Sequence, residues 1–344
     1  MKKDRYTISD VAEALGVSRA TVSRAMNHSP GVGEELRKKI LDYVKEIGYS
    51  PNTLAQSFSK GRMNFIAMVL GDIRNPFYSE LAFMIQKELN ENGYMVMVFN
   101  SEYDAGKEVE YIRMAAQFNF AGLILFTAQT KEIEEELENL AIPQVLVNRM
   151  LDHYEGASVL LDNFKAGYIA TMHLIELGHK KIGFIDGHTT SSASRQRFEG
   201  YKQALKNYHL EDSANNVMFS DLKMETGYRL AGEYIHQWTD KPSGMVIVND
   251  MTALGFLNRC KEEGIKIPEM LSIVSFDDII FSSMKDVELT TVSQHADEMG
   301  SQAARMMLCQ LNDKDYVPER VILDPTLIVR KTTGVYVPER DIHR

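Results

Sequence analysis

The sequence predicts an all-α head of three short helices plus a hinge helix, joined to an α/β core of two doubly wound lobes, each with a parallel sheet. Two observations lead to this prediction. A pair of short helices joined by a glycine turn begins the chain, and the apolar pattern then changes to short runs that alternate with longer helical segments. At 344 residues, of which 44% are hydrophobic, the chain is long enough for two or three domains.

The first two helices are predicted within residues 7–27, TISDVAEALGVSRATVSRAMN. Thr7 and Asp10 have the spacing of a capping box, which begins a helix, and Gly16 permits a tight turn after it. Ser18 can cap the second helix. Two helices joined in this way are typical of a helix-turn-helix that reads DNA, although short hairpins with polar outer faces also occur without that function.

A third amphipathic helix is predicted at residues 34–47, where apolar residues recur at helical spacing and Gly48 follows. Charge supports a role in DNA binding for the resulting bundle. Residues 1–62 contain 11 Lys and Arg against 7 Asp and Glu, whereas the remaining residues contain 27 against 41. A basic head on an acidic body suits a protein whose first domain meets phosphate groups.

From residue 64 onward, short apolar runs predict buried parallel strands, and the amphipathic segments between them predict crossover helices. The runs are FIAMVL (65–70), YMVMVF (94–99), GLILF (122–126), PQVLV (143–147), ASVLL (157–161), KIGFI (181–185), GMVIV (244–248) and LSIVSF (271–276). This number of strands is large for one small sheet, so we predict two lobes with a cleft between them.

Residues 51–62, PNTLAQSFSKGR, predict the hinge helix. Pro51 suits a first helical turn, Asn52 can cap, and Ala55 and Phe58 belong to a short apolar stripe. A helix this short is marginal in water by itself, so it should fold only against a partner. The alternative is a plain linker.

Several classes of protein are excluded. No run approaches the roughly 18 apolar residues of a membrane span, and the charged start MKKDRYTISD has no apolar region behind it, so we expect a cytoplasmic protein. Cys260 and Cys309 lack metal-ligand spacing. The sequence contains no GxGxxG, GxxxxGK[ST], nucleophile elbow or HExxH, and we interpret His173 and His179 as packing and capping residues. We therefore expect no enzyme, no cofactor and no metal.

Over nearly its whole length the chain resembles the lactose/galactose repressor (LacI/GalR) family, whose core is similar to periplasmic binding proteins of type I. The matching words, in the family's order, are TISDVAEALGVSRATVSRAMN, GYSPNTLAQSF, DIRNPFYSEL, HLIELGHKKIGFIDG, SASRQRFEGY, VNDMTALG, SFDD and LTTVSQ. The resemblance implies a head at 1–50, a hinge helix at 51–62 and a ligand-binding, dimerising core at 63–344. Its first lobe would span about 63–162 and 293–323, and its second about 163–290 and 324–340.

For DNA, the resemblance implies that the helix beginning at Ser18 enters the major groove of an operator. Arg19 and Ala20 would read bases, although a phosphate contact is the alternative for Arg19. Near bases or phosphates we expect Thr7, Ser18, Thr21, Ser23, Arg24 and Asn27. In the minor groove, Asn52 and Ala55 would lie along the hinge helix, and Phe58 would wedge between bases where most members carry leucine.

One such module buries only about 600 to 1,000 Å² on DNA, which is too little for a specific repressor. A homodimer that reads a pseudo-palindromic operator overcomes this limit, and the family dimerises through its core. We expect a dimer without a tetramerising tail.

Small molecules bind open parallel sheets beyond the carboxyl ends of the strands, so the residues after the apolar runs are candidate effector contacts. The candidates are Asp72, Asn75, Phe77, Asp162, Arg197, Asn249 and Asp277. Carboxylates, amides, a guanidinium and an aromatic ring together suit a polyhydroxylated ligand. By resemblance Arg197, Asn249 and Asp277 match the family's main contacts, whereas Phe77 and Asp162 match less closely.

The alternative for Asp277 is a capping role, and for Arg197 a structural ion pair. As the effector we expect a carbohydrate, either a sugar or a sugar phosphate, which induces transcription by releasing a repressor from DNA. Corepression by a purine-like ligand or by a phosphoprotein partner is the alternative.

Overall fold

The computed structural model describes residues 6–49, 64–126, 130–151, 153–187, 191–210 and 216–338. The chain divides into two compact units, Met1–Met63 and Asn64–Arg344. The predicted hinge helix, with its candidate DNA contacts Asn52, Ala55 and Phe58, lies outside the described residues.

The described residues 6–49 of the first unit form three helices: α1 (Ile8–Leu15), α2 (Arg19–Met26) and α3 (Glu34–Glu46). The capping box before α1 is present, because the Thr7 hydroxyl accepts from the Asp10 amide while the Asp10 carboxylate accepts from the Thr7 amide. Gly16 ends α1 at φ +64°, a left-handed conformation that suits glycine. The buried core of the bundle consists of Val11, Ala12, Val22, Ala25, Ile40 and Val44. The predicted all-α head is therefore confirmed.

The second unit alternates strands and helices. In chain order these are β1 (Phe65–Leu70), α4 (Pro76–Glu91), β2 (Met95–Asn100), α5 (Ala105–Gln117), β3 (Gly122–Leu125), α6 (Lys131–Glu138), β4 (Gln144–Val147), β5 (Ala157–Leu161), α7 (Asn163–Glu176), β6 (Ile182–Asp186), α8 (Ser192–Asn207), β7 (Val217–Phe219), α9 (Met224–Gln237), β8 (Gly244–Ile247), α10 (Asp250–Glu262), β9 (Ser272–Asp277), a 3₁₀ helix (Ile280–Ser283), β10 (Thr290–Ser293), α11 (Ala296–Asn312), β11 (Arg320–Leu323) and β12 (Thr326–Ile328).

These strands form two six-stranded sheets, which define the two lobes. The N-lobe sheet has the order β11-β5-β4-β3-β1-β2 and is parallel throughout. The C-lobe sheet has the order β12-β10-β9-β8-β6-β7. The chain passes from one sheet to the other after β5, after β10 and between β11 and β12. The two doubly wound lobes predicted from the sequence are confirmed.

The C-lobe sheet differs from the prediction at one edge, because β12 pairs antiparallel with β10. Only two residues separate β11 from β12, so the chain enters the C-lobe without a crossover helix. A parallel pairing requires such a crossover, whereas an antiparallel edge strand does not.

Two helix pairs in the C-lobe pack backbone to backbone through glycines. On α7, a Cβ added at Gly167 would lie 2.0 Å from the carbonyl oxygen of Arg197 on α8. On α10, a Cβ added at Gly255 would lie 1.8 Å from the carbonyl oxygen of Met224 on α9. The position of α8, and with it the start of the Arg197 side chain, is thus set by direct contact with α7.

Candidate DNA-reading face and effector cavity

The outward face of α2 is polar and open to solvent. The Ser18 hydroxyl accepts from the Thr21 amide at 3.1 Å and so caps the start of α2. Arg19 and Ala20 follow in the exposed first turn, and Arg24 is exposed in the last turn. This face therefore presents two guanidinium groups that no described carboxylate pairs with.

The carboxyl end of α2 is held by Arg37 of α3, which the sequence analysis did not single out. Its Nη2 donates to the carbonyl oxygen of Ser29 at 2.8 Å, and its Nη1 donates to that of Ala25 at 3.3 Å. Because carbonyl groups at a helix end lack partners within the helix, this guanidinium both satisfies them and fixes α2 against α3. Arg37 positions the DNA-reading face without being on it.

The remaining head candidates also lie at the surface. Thr7 and Asn27 are exposed, and Thr21 and Ser23 are partly buried. Asn27 donates to the Ser23 hydroxyl at 3.4 Å, and the Thr21 and Ser18 hydroxyls lie 2.9 Å apart. Their contacts with DNA stay predictions.

A cavity lies between the lobes, where the carboxyl ends of both sheets meet. The space in which a water molecule can be centred there is about 30 Å³, which is small for a sugar-sized ligand. It is lined by Asn75, Phe77, Tyr78, Tyr103, Asn148, Arg149, Ser191, Ala193, Ser194, Arg197, Leu222, Val248, Asn249, Asp277 and Gln294. Binding of a sugar would therefore require the lobes or the lining side chains to move apart.

Arg197 is the buried centre of the C-lobe side of the cavity. Its Nε donates to Asn163 Oδ1 at 2.8 Å, and its Nη1 donates to the carbonyl oxygen of Val248 at 2.9 Å. The Phe276 ring lies 4.6 Å from the guanidinium carbon, a cation–π contact. Burial lowers the pKa of Arg197 to about 10, with the nearby Asp277 charge acting in the opposite direction. The structural ion pair that was the alternative for Arg197 is not what holds it, since its direct partners are neutral.

Asp277 ends β9 in a strained conformation and joins the two lobes. Its φ is +120° and that of Asp278 is +58°, in a region that non-glycine residues rarely adopt. Asp277 Oδ1 accepts from Gln294 at 2.5 Å, and Oδ2 lies 3.5 Å from Asn75 Nδ2 of the N-lobe. Burial raises the pKa of Asp277, and the charge of Arg197 opposes this.

Gln294, on the segment after β10, extends this network to Asn148, which follows β4. Asn148 Nδ2 donates to Gln294 Oε1 at 2.9 Å. Asn148 is buried, and its Oδ1 has no hydrogen-bond partner among the described residues. Nearby, the Met150 amide donates to the Ser192 hydroxyl at the start of α8, at 3.2 Å. One polar chain, Asn75–Asp277–Gln294–Asn148, thus ties the lobes together at the cavity.

The N-lobe side of the cavity is aromatic. The rings of Phe77 and Tyr78 meet edge to face at 5.4 Å between centroids, and Tyr103 lies 6.4 Å from Tyr78. The Arg149 side chain folds onto this cluster. Its Nη2 donates to the Tyr78 hydroxyl at 3.2 Å, and its Nη1 donates to the carbonyl oxygen of Asn148 at 2.6 Å.

Five of the seven predicted effector residues line the cavity: Asn75, Phe77, Arg197, Asn249 and Asp277. The other two do not line it. Asp72 forms an ion pair with Arg74 at 2.7 Å, and Asp162 caps α7 by accepting from the Lys165 amide at 2.8 Å. Contact of any of the seven with an effector stays a prediction.

Other lining residues were missed, although a signal existed. Asn148 and Arg149 directly follow the apolar run PQVLV, so the strand-end rule that gave the other candidates also applies to them. Tyr78 is adjacent to Phe77, and Gln294 ends the word LTTVSQ. Tyr103 follows β2 by three residues, in a loop that the apolar runs do not register.

Behind the cavity, Asp250 organises the C-lobe from a fully buried position. Its carboxylate accepts from the hydroxyls of Ser275, Ser282 and Thr291, and from the Ile279 amide at 3.0 Å. Burial raises the pKa of Asp250, and the four donors oppose this. The carboxylate therefore connects β9, the 3₁₀ helix and β10 in one network.

His179 is a packing residue, as interpreted from the sequence. Its Nδ1 lies 2.9 Å from the Ser243 hydroxyl and its Nε2 lies 3.2 Å from the carbonyl oxygen of Gly334. Burial lowers its pKa, which keeps the ring neutral near pH 7. Across the described parts of the chain, no helix combines the length and the apolar character needed to cross a membrane.

Comparison with known proteins agrees with this architecture. Residues 7–52 match the model for bacterial regulatory proteins of the lacI family, and residues 171–333 match that for a periplasmic binding protein-like domain. The chain is 31% identical to the HTH-type transcriptional regulator DegA of Bacillus subtilis (strain 168), over 96% of this chain and 98% of DegA. It is 30% identical to the HTH-type transcriptional repressor PurR of Vibrio atlanticus (strain LGP32), over 95% and 98%.

A solved complex of the transcriptional regulator CelR with cellobiose is also similar, with a TM-score of 0.71 and 25% identity over 95% of this chain and all of that chain. A helix-turn-helix head on a two-lobed α/β core defines the class of DNA-binding transcriptional regulators, and the relatives are regulators rather than enzymes. The chain belongs to the LacI family of bacterial regulatory proteins.

Proposed function

We propose that the protein is a repressor of carbohydrate-utilisation genes that binds a pseudo-palindromic operator as a homodimer, and that a sugar or sugar phosphate in the interlobe cavity releases it. The observation that carries this proposal is the polar chain Asn75–Asp277–Gln294–Asn148, which closes the lobes on each other. A ligand that takes over these hydrogen bonds changes how the lobes sit. Such a ligand shifts the DNA-binding equilibrium by its difference in affinity between the two states, and a tenfold shift needs about 1.4 kcal/mol.

The cavity chemistry favours a carbohydrate. Asp277 can accept from two hydroxyls, Asn249 and Arg197 can donate to oxygens, and Phe77 offers an apolar plate for the C–H face of a sugar. The complex of the related CelR with cellobiose supports the same ligand class.

For the DNA side, we propose that α2 lies in the major groove with Arg19 and Ala20 at the base edges. Residues 51–62 would then form the hinge helix between a head at 1–50 and a core at 63–344. Asn52, Ala55 and Phe58 would contact the minor groove.

Exposed apolar side chains support the homodimer. The strand β2 is the free edge of the N-lobe sheet, and its Met95 and Met97 side chains are 62% and 42% exposed. On the adjacent α4, Phe83 is 64% exposed. A free edge strand with apolar side chains is a surface that another chain readily covers.

Corepression is the second candidate, with a purine-like ligand or a phosphoprotein as the corepressor. The similarity to a repressor named PurR keeps this candidate open. The two candidates differ in sign, because an inducer weakens operator binding whereas a corepressor strengthens it.

The test begins with selection of bound DNA from a random pool by the full-length protein, followed by operator titrations with and without candidate sugars. We expect pseudo-palindromic sequences and weaker binding in the presence of one sugar. Replacement of Arg19 by alanine should remove about 1 to 3 kcal/mol of discrimination between operator and random DNA. Lys38→Ala, an equal charge change on exposed α3, is the control and should weaken both equally. Recovery of no preferred sequence would reject the proposal, and stronger binding with a purine would favour corepression.

A further inference from the structure

Two guanidinium groups face the cavity, and neither forms an ion pair with a carboxylate in the described residues. The hydrogen-bond acceptors of Arg197 are an amide and a backbone carbonyl oxygen. Those of Arg149 are the Tyr78 hydroxyl and a backbone carbonyl oxygen. Among the described residues that line the cavity, Asp277 is the one carboxylate, and its hydrogen bonds go to Gln294 and Asn75.

The cavity therefore carries more positive than negative charge within an acidic body. Residues 63–344 contain 27 Lys and Arg against 41 Asp and Glu, so a local excess of cations is unusual there. A charge held away from water by neutral partners alone, as at Arg197, is unfavourable, and an anion placed near it relieves this cost. Burial lowers the pKa of Arg197 to about 10, the Asp277 charge opposes this, and the positive charge of Arg149 lowers it further.

The start of α8 adds to the positive charge around the cavity. Ser191, Ala193 and Ser194 line the cavity at the first turn of this 16-residue helix, and that turn contains no acidic residue. The amino end of a helix carries partial positive charge and unpaired amide groups, which favour anions. The Met150 amide, one residue after Arg149, donates to Ser192, so the arginine and the helix start are neighbours.

Asn148 supplies an independent sign of a missing ligand. Its side chain is 3% exposed and lines the cavity, yet its Oδ1 accepts no hydrogen bond from the described residues. Buried acceptors are rarely left without a donor. A hydroxyl group of a ligand beside Arg149 would provide that donor.

We propose that the effector is an anionic carbohydrate, whose carboxylate or phosphate group binds Arg149 at the start of α8 while its hydroxyls bind Asp277 and Asn148. This inference rests on the proposed function, in which the interlobe cavity is the effector site for a carbohydrate. In the structure Arg149 folds onto Tyr78 and lines the cavity. With ligand, the guanidinium turns to the anionic group, where it makes two parallel hydrogen bonds.

The first experiment compares matched sets of ligands by calorimetric titration of the full-length protein. The sets are glucose, glucuronate and glucose 6-phosphate; galactose, galacturonate and galactose 6-phosphate; and ribose with ribose 5-phosphate. We expect an anionic member to bind at least about tenfold more tightly than its neutral counterpart, since a hydrogen bond to a charged group contributes that much or more. The uronate and phosphate members separate the two sources of negative charge.

The second experiment repeats the titration with variants at Arg149. Arg149→Gln should lose about tenfold or more in affinity for the anionic ligand and leave the affinity for the neutral counterpart within about twofold. Arg149→Lys should retain part of the affinity. The control is Arg113→Gln, which removes the same charge from the N-lobe surface, where Arg113 pairs with Glu136, and should bind like the parent. Melting temperatures of all variants check that each is folded.

The outcomes separate the two proposals. If only neutral sugars bind, the anionic effector is overturned. If Arg149→Gln binds the anionic ligand like the parent, the assignment of Arg149 to the anionic group is overturned. A carbohydrate effector stands in both cases. If no member of any set binds, both are contradicted. Tight binding of inorganic phosphate alone, undiminished in competition with the sugars, would also overturn the inference, because the hydroxyls would then play no part.

Discussion

The C-lobe holds its charged cavity residues by buried hydrogen bonds from several elements, whereas the charged cavity residue of the N-lobe, Arg149, is partly exposed and lies against an aromatic cluster. Arg197 and Asp277 are 5% and 6% exposed and are fixed by partners from α7, from the residue after β8 and from the segment after β10. In the N-lobe, the hydrogen bonds of Arg149 to described residues go to Tyr78 and to its own neighbour Asn148. The C-lobe thus presents a preformed half of the site, and the N-lobe presents an adjustable half. Preformed contacts favour affinity, because less order is lost on binding.

The largest effect is expected at Asp250. Asp250→Ala leaves four buried donors without an acceptor, so the free energy of unfolding should fall by about 3 kcal/mol or more. The same substitution in the N-lobe, Asp72→Ala, removes an ion pair with an arginine whose side chain is 66% exposed, and should lower it by about 1 kcal/mol or less. Urea denaturation followed by circular dichroism measures both. If both variants lost the same free energy of unfolding, the two lobes would not differ in rigidity at the strand ends.

A smaller effect is expected at the contact between α7 and α8. Gly167→Ala places a methyl group against the Arg197 backbone, so α8 must shift, at a cost of about 1 to 3 kcal/mol. Effector affinity should fall with it, because Arg197 moves. Gly232→Ala on α9 is the matched control, since nothing lies closer than 3.9 Å to the added Cβ. The free energy of unfolding of this control should rise by about 0.5 to 1 kcal/mol, because alanine lowers the entropy of the unfolded chain. A stable Gly167→Ala variant with unchanged effector affinity would show that the C-lobe half is less rigid than its packing implies.

The smallest effect is expected at Asp186, at the end of β6. Burial raises its pKa to about 6, with the Gly187 amide and the Arg197 charge acting in the opposite direction. An exposed aspartate has a pKa of about 3.9, so ionisation of Asp186 destabilises the folded state as pH rises from about 4 to 6. Asp186→Asn removes this penalty and should stabilise the protein by about 1 to 2 kcal/mol at pH 7.5. Unfolding at pH 4 should show no gain, and an equal gain at both pH values would assign the effect to something other than ionisation.

Much of the fold follows from patterns that are local in the sequence. All eight apolar runs became strands within one residue or so, because strands buried on both faces need continuous apolar residues. The strands β7, β10, β11 and β12 were missed. They have three or four residues each, three of them are the edge strands β7, β11 and β12, and the TTVS of β10 is not an apolar run. The helix α6, KEIEEELE, buries only Ile133 and Leu137. Two apolar residues are too few for the helical periodicity to be recognised in the sequence.

The candidate site was only partly predictable, for a different reason. The end of a parallel strand places a residue at the correct edge of the sheet, but it does not determine where the side chain points. Asp162 and Asn249 both follow a strand and both cap the next helix, yet only Asn249 lines the cavity. The Asp72 carboxylate pairs with the guanidinium of Arg74, two residues away. Capping and local ion pairs compete for the same polar residues that a ligand would use, and that competition is settled by tertiary packing.

The bend at Asp277 has a consequence for evolution. Glycine would adopt a φ of +120° without strain. The residue that gives the most stable fold at this position is therefore one that lacks the carboxylate. With Asp277 as the proposed effector contact, selection for heat resistance favours glycine at position 277, whereas selection for a response to the effector favours aspartate. Variants selected for thermal stability alone should accumulate glycine at position 277. They should lose the response to the effector and keep binding to the operator.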